Sequence, residues 1–179
     1  RQQLWILDPY TGVKKREITA FDSVEVNINR QFCVADIELD GVPEVVFITD
    51  SIICQDTDGA FKYSNYVGLG AESDGVSTLS INSADFNQDG LAEFYSGSFI
   101  FNSLNGKVLL RGRNGVGSND DVNRYKYLNH TLAADVLPHP GLELLAGNTV
   151  YTVEINNLNG MTGNVITPYF PNDPNMLDG

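Results

Sequence analysis

The stretch ADFNQDGLAE, residues 84–93, decides the fold because related copies of it recur along the chain. ADIELDGVPE occupies residues 35–44, and ADVLPHPGLE occupies residues 134–143. Each copy starts with Ala-Asp, has a Glu eight residues after that Asp, and is followed by apolar residues. The three Asp residues stand at positions 36, 85 and 135, so the copies are 49 and 50 residues apart. A fixed period of this length is typical of a repeat architecture.

A second recurring feature is a polar segment that ends in Gly and lies between two strand-like runs. Gly supplies the left-handed backbone conformation that tight turns need, so these segments predict hairpin turns. They occupy residues 8–12, 55–59, 102–106 and 156–160. One repeat therefore reads strand, acidic loop, strand, short link, strand, Gly turn, strand. This order predicts a four-stranded antiparallel meander of about 50 residues.

Four-stranded units with a period of about 40 to 50 residues are typical of β-propeller blades. We therefore predict an all-β chain in which residues 1–179 form part of one β-propeller domain of four-stranded antiparallel blades, with about three and a half blades present. Propellers close with about four to eight blades, so we expect the remainder of a longer polypeptide to supply the others, the alternative being that they come from elsewhere. An antiparallel β-sandwich is the alternative architecture. The predicted segments are the last half of a blade at 1–20, successive blades at 31–67, 79–112 and 130–169, and the lead-in to the next blade at 170–179.

The composition is strongly acidic, with 23 Asp and Glu against 11 Lys and Arg and a net charge of −12. This balance argues against nucleic acid as a partner, because nucleic acid attracts basic surfaces. No apolar run approaches the roughly 18 to 20 residues that span a bilayer, so no membrane-spanning helix is expected. Cys33 and Cys54 lie within apolar runs and are predicted to be buried free thiols.

The second copy of the motif has the pattern of a calcium loop. Ca²⁺ takes about six to eight oxygen ligands, which a short loop supplies from alternate side chains, a Gly at the bend and a late carboxylate. Gly90 stands at the bend. The closing acid comes at position 9 of the loop rather than 12, and strands flank it, so it is not an EF-hand. The predicted ligands are Asp85, Asn87, Asp89, the backbone carbonyl of Leu91, and Glu93.

The first copy offers a carboxylate at every side-chain ligand position. Its predicted ligands are Asp36, Glu38, Asp40, the backbone carbonyl of Val42, and Glu44. The alternative for both loops is that their Asp and Asn residues are ordinary turn residues. The third copy is degraded, because Leu137 and His139 replace the middle ligands and Gly141 comes one residue late. For it we predict a metal-free turn in which Asp135 and Glu143 bond backbone amides.

These motifs resemble the FG-GAP and VCBS-like repeats, the calcium-loop blades of integrin α-subunit propellers and of many bacterial surface proteins. The family pattern is Asp-x-Asp/Asn-x-Asp-Gly-x-x-Asp/Glu followed by a small Gly-containing segment. Residues 85–93 with 95–97 match it, residues 36–44 match without the trailing Gly, and residues 135–143 match only at their ends. The resemblance covers nearly the whole chain. It implies Ca²⁺ as the bound ion and a location outside the cell or at its surface.

Residues 132–151 are also similar to large exported surface proteins of gliding bacteria, which the type IX secretion pathway carries and which include adhesins. Together these resemblances imply a non-enzymatic module for adhesion or for binding a surface glycan or protein ligand, with the secretion machinery as another partner. Aromatic side chains that stack on such a ligand are expected to be exposed. The candidates are Tyr63, Tyr66, Tyr125 and Tyr127, although ordinary packing within strands and links is the favoured interpretation of these residues.

The alternative function is the propeller portion of a polysaccharide-degrading enzyme, because rhamnogalacturonan lyases are similar in carrying such calcium loops. A lyase needs a base and a charge stabiliser in a cleft. His130 and His139 are the only histidines, and neither has an evident partner in the sequence. No Gly-x-Ser-x-Gly, His-Glu-x-x-His or phosphate-loop motif occurs. The sequence therefore favours the non-enzymatic interpretation and predicts no catalytic residue.

Overall fold

The computed structural model describes residues 3–19, 32–48, 51–67, 80–112, 131–146 and 149–169. Within these ranges the chain forms fourteen β-strands, and no helix is long and apolar enough to cross a membrane. In chain order the strands are β1 (Gln3–Leu7), β2 (Lys14–Thr19), β3 (Phe32–Ala35), β4 (Glu44–Ile48), β5 (Ser51–Asp56), β6 (Phe61–Tyr66), β7 (Asn82–Ala84), β8 (Glu93–Ser96), β9 (Phe99–Phe101), β10 (Val108–Arg111), β11 (Thr131–Ala134), β12 (Glu143–Ala146), β13 (Thr149–Glu154) and β14 (Val165–Tyr169).

The strands form four antiparallel sheets in which neighbours in sequence are hydrogen-bonded neighbours. The two-stranded sheet contains β1 and β2, sheet 1 contains β3–β6, sheet 2 contains β7–β10, and sheet 3 contains β11–β14. In sheets 1 to 3 the acidic motif joins the first two strands, and the predicted Gly turn joins the last two. The predicted all-β class and the antiparallel meander are therefore confirmed for the part of the chain that the structure describes.

The apolar side chains of sheet 1 pack in two directions, because successive residues of a strand face opposite sides of the sheet. Val46 and Ile52 pack in one cluster with Phe94 of sheet 2. Val45, which faces the other way, packs with Ile18 of β2. Sheet 1 is therefore covered on both faces. This explains why β4 and β5 are nearly continuous buried runs and do not alternate between apolar and polar residues.

Sheet 2 is covered in the same way. Its Phe94 faces sheet 1, whereas Tyr95 and Ile100 pack with Leu144 and Tyr151 of sheet 3. The first strands of consecutive sheets are in contact, β3 with β7 and β7 with β11. The described residues thus form a stack of four sheets in chain order with both inner sheets buried on two faces. Four consecutive layers are more than the two of a β-sandwich.

Side chains from one sheet also bond the Gly turn of the next. Arg16 Nη1 donates to the carbonyl of Thr57 at 2.9 Å, and the Tyr63 hydroxyl donates to the carbonyl of Ser103. Both donors stand four residues after the Gly of their own turn. Tyr63 is partly buried at this interface, and its burial raises the pKa of its hydroxyl. The favoured interpretation of Tyr63, packing within the fold, is therefore confirmed, and the alternative of exposure for ligand stacking is not.

The remaining predictions on aromatic residues and cysteines have different outcomes. Tyr66 is exposed at the end of β6, which agrees with the ligand-stacking interpretation and not with the favoured one of ordinary packing. Cys33 and Cys54 are free thiols, Cys54 fully buried and Cys33 partly buried, and burial raises the pKa of Cys54 to about 12. Several other predictions lie outside the described residues. They concern Tyr125, Tyr127, His130 and residues 170–179.

Candidate metal centre

The acidic loops of sheets 1 and 2, residues 36–44 and 85–93, have the same backbone conformation. We call them loop 1 and loop 2. At the fourth position of each loop a non-Gly residue is left-handed, with φ of 57° at Leu39 and 58° at Gln88. At the sixth position a Gly is left-handed, with φ of 85° at Gly41 and 93° at Gly90. A non-Gly residue at positive φ is uncommon, so its recurrence at one position of two repeats indicates that the loop geometry itself is repeated.

The first Asp of each loop closes the bend through backbone amides. In loop 2, Asp85 Oδ1 accepts from the N–H of Asp89 at 3.1 Å, and Asp85 Oδ2 accepts from Gly90 at 2.9 Å. Asp36 makes the same two bonds in loop 1, at 3.1 and 2.9 Å. The fifth residue then accepts from the seventh at 2.8 Å in both loops. These bonds turn the carboxylates at positions 1 and 5 towards the same bend in both loops.

The middle ligands of loop 2 already face each other. Asn87 Nδ2 donates to Asp89 Oδ2 at 2.9 Å, and Asn87 Oδ1 accepts from the N–H of Asp89 at 3.0 Å. The two side chains therefore lie side by side in the bend, as they would have to if both bound the same metal ion. Asn87 is partly buried and Asp89 is exposed, so the pair is reached from solvent.

The Glu that ends each motif lies beneath its loop. The three closing glutamates, Glu44, Glu93 and Glu143, have only 0%, 3% and 0% of their surface exposed. In each case Oε2 accepts from the N–H of the residue after the first Asp: Ile37 at 2.8 Å, Phe86 at 2.9 Å and Val136 at 2.8 Å. This structural role was predicted only for Glu143, whereas Glu44 and Glu93 were predicted solely as metal ligands.

Residues 135–143, which we call loop 3, keep the hydrogen bond of the closing glutamate but lack the hydrogen bonds of the first Asp. Glu143 Oε2 also accepts from the N–H of Leu137 at 3.2 Å, which confirms its predicted bond to backbone amides. Asp135 is exposed and, within the described ranges, makes none of the carboxylate–amide bonds that Asp36 and Asp85 make. His139 is partly buried in the same loop. Loop 3 therefore has the closing glutamate without the amide bonds to the first Asp that loops 1 and 2 share.

The ammonium group of a lysine on a neighbouring strand lies beside loop 1. Lys62, from β6, places Nζ 2.9 Å from Glu38 Oε2 and 3.1 Å from Asp56 Oδ1. These hydrogen bonds, first to Glu38 and then to Asp56, raise the pKa of Lys62. The predicted ligand Glu38, at position 3 of loop 1, thus forms an ion pair with Lys62. The residue at position 3 of loop 2 is the uncharged Asn87, which forms no ion pair. Sequence reasoning missed Lys62 and Asp56, since nothing in the motif itself connects it to strands about twenty residues later.

The donors of loop 2 fit a hard divalent cation by their chemistry. Within the described residues no group of three or more His, Cys, Asp or Glu side chains is placed to hold a metal ion. The acidic side chains of the loop are therefore not clustered around a single point. The predicted set in loop 2 joins acids to the Asn87 amide and the Leu91 carbonyl, all of them oxygens, which is the donor type that Ca²⁺ selects. Loop 1 adds a buried oxygen with no hydrogen-bond donor, Glu44 Oε1.

The protonation of Glu93 predicts how stability depends on pH when Ca²⁺ is removed. Burial, with smaller effects from Asp89 and Asp85, raises the pKa of Glu93 from 4.5 to about 7. The folded chain keeps a proton that the unfolded chain has lost between these values. This contribution to stability is complete below about pH 4.5 and disappears as the pH rises through about 7. In EGTA we expect the free energy of unfolding to fall by roughly 2 kcal/mol from pH 5 to pH 8.

The control for this prediction is Glu93→Gln, which keeps an oxygen acceptor for the N–H of Phe86 but cannot ionise. Urea unfolding at several pH values would measure both proteins. The difference between wild type and Glu93→Gln isolates Glu93, because the other carboxylates are common to both. Parallel pH profiles would contradict the assignment.

No family model, no curated protein and no solved structure matches the chain. Its class is therefore defined by what the described residues contain: a stack of antiparallel sheets with an acidic loop at the same place in three of them.

Proposed function

We propose that the chain is a calcium-binding β-propeller module that acts outside the cell or at the cell surface and is not an enzyme. The observation that carries the proposal is the shared geometry of loops 1 and 2, which have the same left-handed positions and the same amide bonds to the first Asp. Two loops that differ in five of nine residues keep this geometry and an all-oxygen ligand set. A requirement for Ca²⁺ explains that combination better than the need for a turn alone.

The order of the sheets supports the propeller part of the proposal. Propeller blades are four-stranded meanders whose first strands surround a central channel. Here the first strands β3, β7 and β11 contact each other in succession, and the last strands β10 and β14 are also in contact. Equivalent first strands therefore follow one another through sheets 1 to 3, and equivalent last strands do so from sheet 2 to sheet 3. The FG-GAP and VCBS-like resemblance, and with it export by the type IX pathway, supplies the rest of this part of the proposal.

In this proposal Ca²⁺ acts as a structural clip. Two carboxylates and an amide crowd one bend in loop 2, and Glu93 lies buried beneath them. A bound cation neutralises this charge and favours the ionised form of Glu93, so its binding free energy adds to folding. Extracellular modules need dissociation constants of only about 10⁻⁴ to 10⁻³ M, because Ca²⁺ is millimolar there. Ligand capture then belongs to exposed surfaces that carry aromatic groups such as Tyr66.

Thermal unfolding of the intact protein in Ca²⁺ and in EGTA tests the proposal. At free Ca²⁺ about a hundred times the dissociation constant, we expect a gain of about 2 to 3 kcal/mol and a rise in Tm of about 5 to 10 °C. The double variant Asp85→Ala/Asp89→Ala should lose most of this rise.

The matched control is Asp135→Ala, which removes the first Asp of loop 3 and should leave the Ca²⁺ response unchanged. Equal Tm values for the wild type in Ca²⁺ and EGTA would reject the calcium function. The sheets would remain as a fold without an assigned ion.

A further inference from the structure

Sheet 1 has an acidic residue opposite its closing glutamate, whereas sheets 2 and 3 have none at that position. In the pairing of β4 with β5, Asp56 stands directly opposite the buried Glu44. Continuing the register of β8 with β9 by one residue places Asn102 opposite Glu93, and the same step in sheet 3 places Thr152 opposite Glu143. Like charges directly opposite each other in a sheet are destabilising. Sheet 1 therefore concentrates negative charge below loop 1.

Lys62 meets this charge. It is the third residue after the turn Gly59, and the third residue after Gly106 in sheet 2 is the apolar Leu109. The Lys62 side chain is only 24% exposed, and Nζ lies within 3.1 Å of both Glu38 and Asp56. The extra acid and the extra base thus occur together in sheet 1, and neither has an equivalent in sheet 2.

One more acceptor in loop 1 has no donor. Glu44 is fully buried, and while its Oε2 accepts from Ile37 of the loop, its Oε1 has no hydrogen-bond partner. A buried carboxylate oxygen without a partner costs free energy, and a cation satisfies it. Positive charge is therefore favoured at loop 1 in two ways: Lys62 pairs with Glu38 and Asp56, and Glu44 Oε1 lacks a hydrogen-bond donor, as Glu143 Oε1 does in loop 3.

We propose that the Lys62 ammonium competes with the divalent cation for loop 1, so that loop 1 is the weaker Ca²⁺ site and is stabilised by Lys62 when no metal is bound. This inference rests on the proposed calcium function. A cation that takes Glu38 as a ligand must break its ion pair with Lys62 and must also approach a positive charge. Loop 2 has no such competitor within the described residues, so it fills first.

Isothermal titration of the decalcified, intact protein with CaCl₂ tests the competition. For wild type we expect a tighter site and a weaker site. Lys62→Met removes the ammonium but keeps a long apolar stem, and it should tighten the weaker site by about tenfold while the tighter site is unchanged. Adding Asp40→Ala to Lys62→Met should abolish the tightened site, which assigns it to loop 1.

Lys14→Met is the matched control, because Lys14 also forms an ion pair, with Glu17 at 2.6 Å, but on the two-stranded sheet away from the loops. It should leave both sites unchanged. In EGTA, Lys62→Met should lower Tm more than Lys14→Met does, and Ca²⁺ should recover that loss. If Lys62→Met fails to fold without Ca²⁺, Lys62→Met/Asp56→Asn restores the local charge balance and is titrated in its place.

The outcomes separate the two proposals. A wild type that binds one or two ions, with neither site tightened by Lys62→Met or by the Asp56→Asn double variant, overturns the role of Lys62 and leaves the calcium function standing. Two wild-type sites of equal affinity overturn it as well. No binding in wild type or in either variant overturns the calcium function and this inference together.

Discussion

Gly106→Ala is expected to destabilise the protein by about 2 to 5 kcal/mol, because the residue is constrained by both its backbone and its neighbours. Its φ of +70° is a conformation that costs an L-residue about 1 to 2 kcal/mol. A Cβ at this position would lie 2.6 Å from Ile52 Cγ2 and 2.7 Å from Tyr63 Cε2, closer than real contacts allow. Overpacking of this kind adds about 1 to 3 kcal/mol. Urea unfolding would measure the loss.

The chain offers a matched control in Gly59, the equivalent turn residue of sheet 1. Its φ is +88°, and a Cβ there would meet nothing within 4 Å. Gly59→Ala should therefore cost only the backbone part, about 1 to 2 kcal/mol. The difference between the two variants measures how tightly the turn of sheet 2 packs on Ile52 and Tyr63 of sheet 1. Equal losses would mean that this turn does not rest on sheet 1, and the stacking of consecutive sheets would have to be revised.

The strands and turns were predictable because their causes are local. The Gly at the end of each polar segment sets the hairpin, and the fixed period of Asp36, Asp85 and Asp135 sets the place of each loop. The burial of the inner sheets on both faces is also visible in the sequence, since Val45, Val46 and Phe47 show no alternation. Such a run is typical of a strand that is covered twice.

What could not be predicted depends on contacts between distant parts of the chain. The sequence favoured packing for Tyr63 but could not name its partner, which is the turn of the next sheet, forty residues away. The partner of Glu38 is Lys62, twenty-four residues later and on another strand. A motif reports which oxygens are available in a loop. It does not report whether a lysine from elsewhere already occupies one of them.

The closing glutamates show that part of the motif serves to close the loop and not to bind a metal ion. A Glu at position 9 reads as a ligand, yet all three copies accept a backbone N–H, including the copy in loop 3, where the other ligands are lost. Closing the loop is therefore the function that the three copies share. Under the proposed function, metal binding would be an addition that needs the oxygens at positions 3 and 5 as well, which loop 3 replaces with Leu137 and His139.

Glu143→Ala is accordingly expected to cost about 2 to 6 kcal/mol of unfolding free energy, and the same amount in Ca²⁺ as in EGTA. The change removes the acceptor for two N–H groups, those of Val136 and Leu137, and each donor left without a partner costs about 1 to 3 kcal/mol. Glu154→Ala, on the exposed side of β13, is the control and should cost less than about 0.5 kcal/mol. Urea unfolding of both variants under the two conditions gives the four values needed.

Two further variants separate the roles of amide acceptor and ligand. Glu143→Gln keeps an oxygen for both N–H groups and replaces the unpartnered Oε1, so it should stay within about 1 kcal/mol of wild type. Glu93→Ala should lose stability in EGTA through the N–H of Phe86, and lose more in Ca²⁺ because the stabilisation by the ion also disappears. If Glu143→Ala instead loses stability only in Ca²⁺, loop 3 binds the ion, and its glutamate is a ligand rather than a closure of the loop.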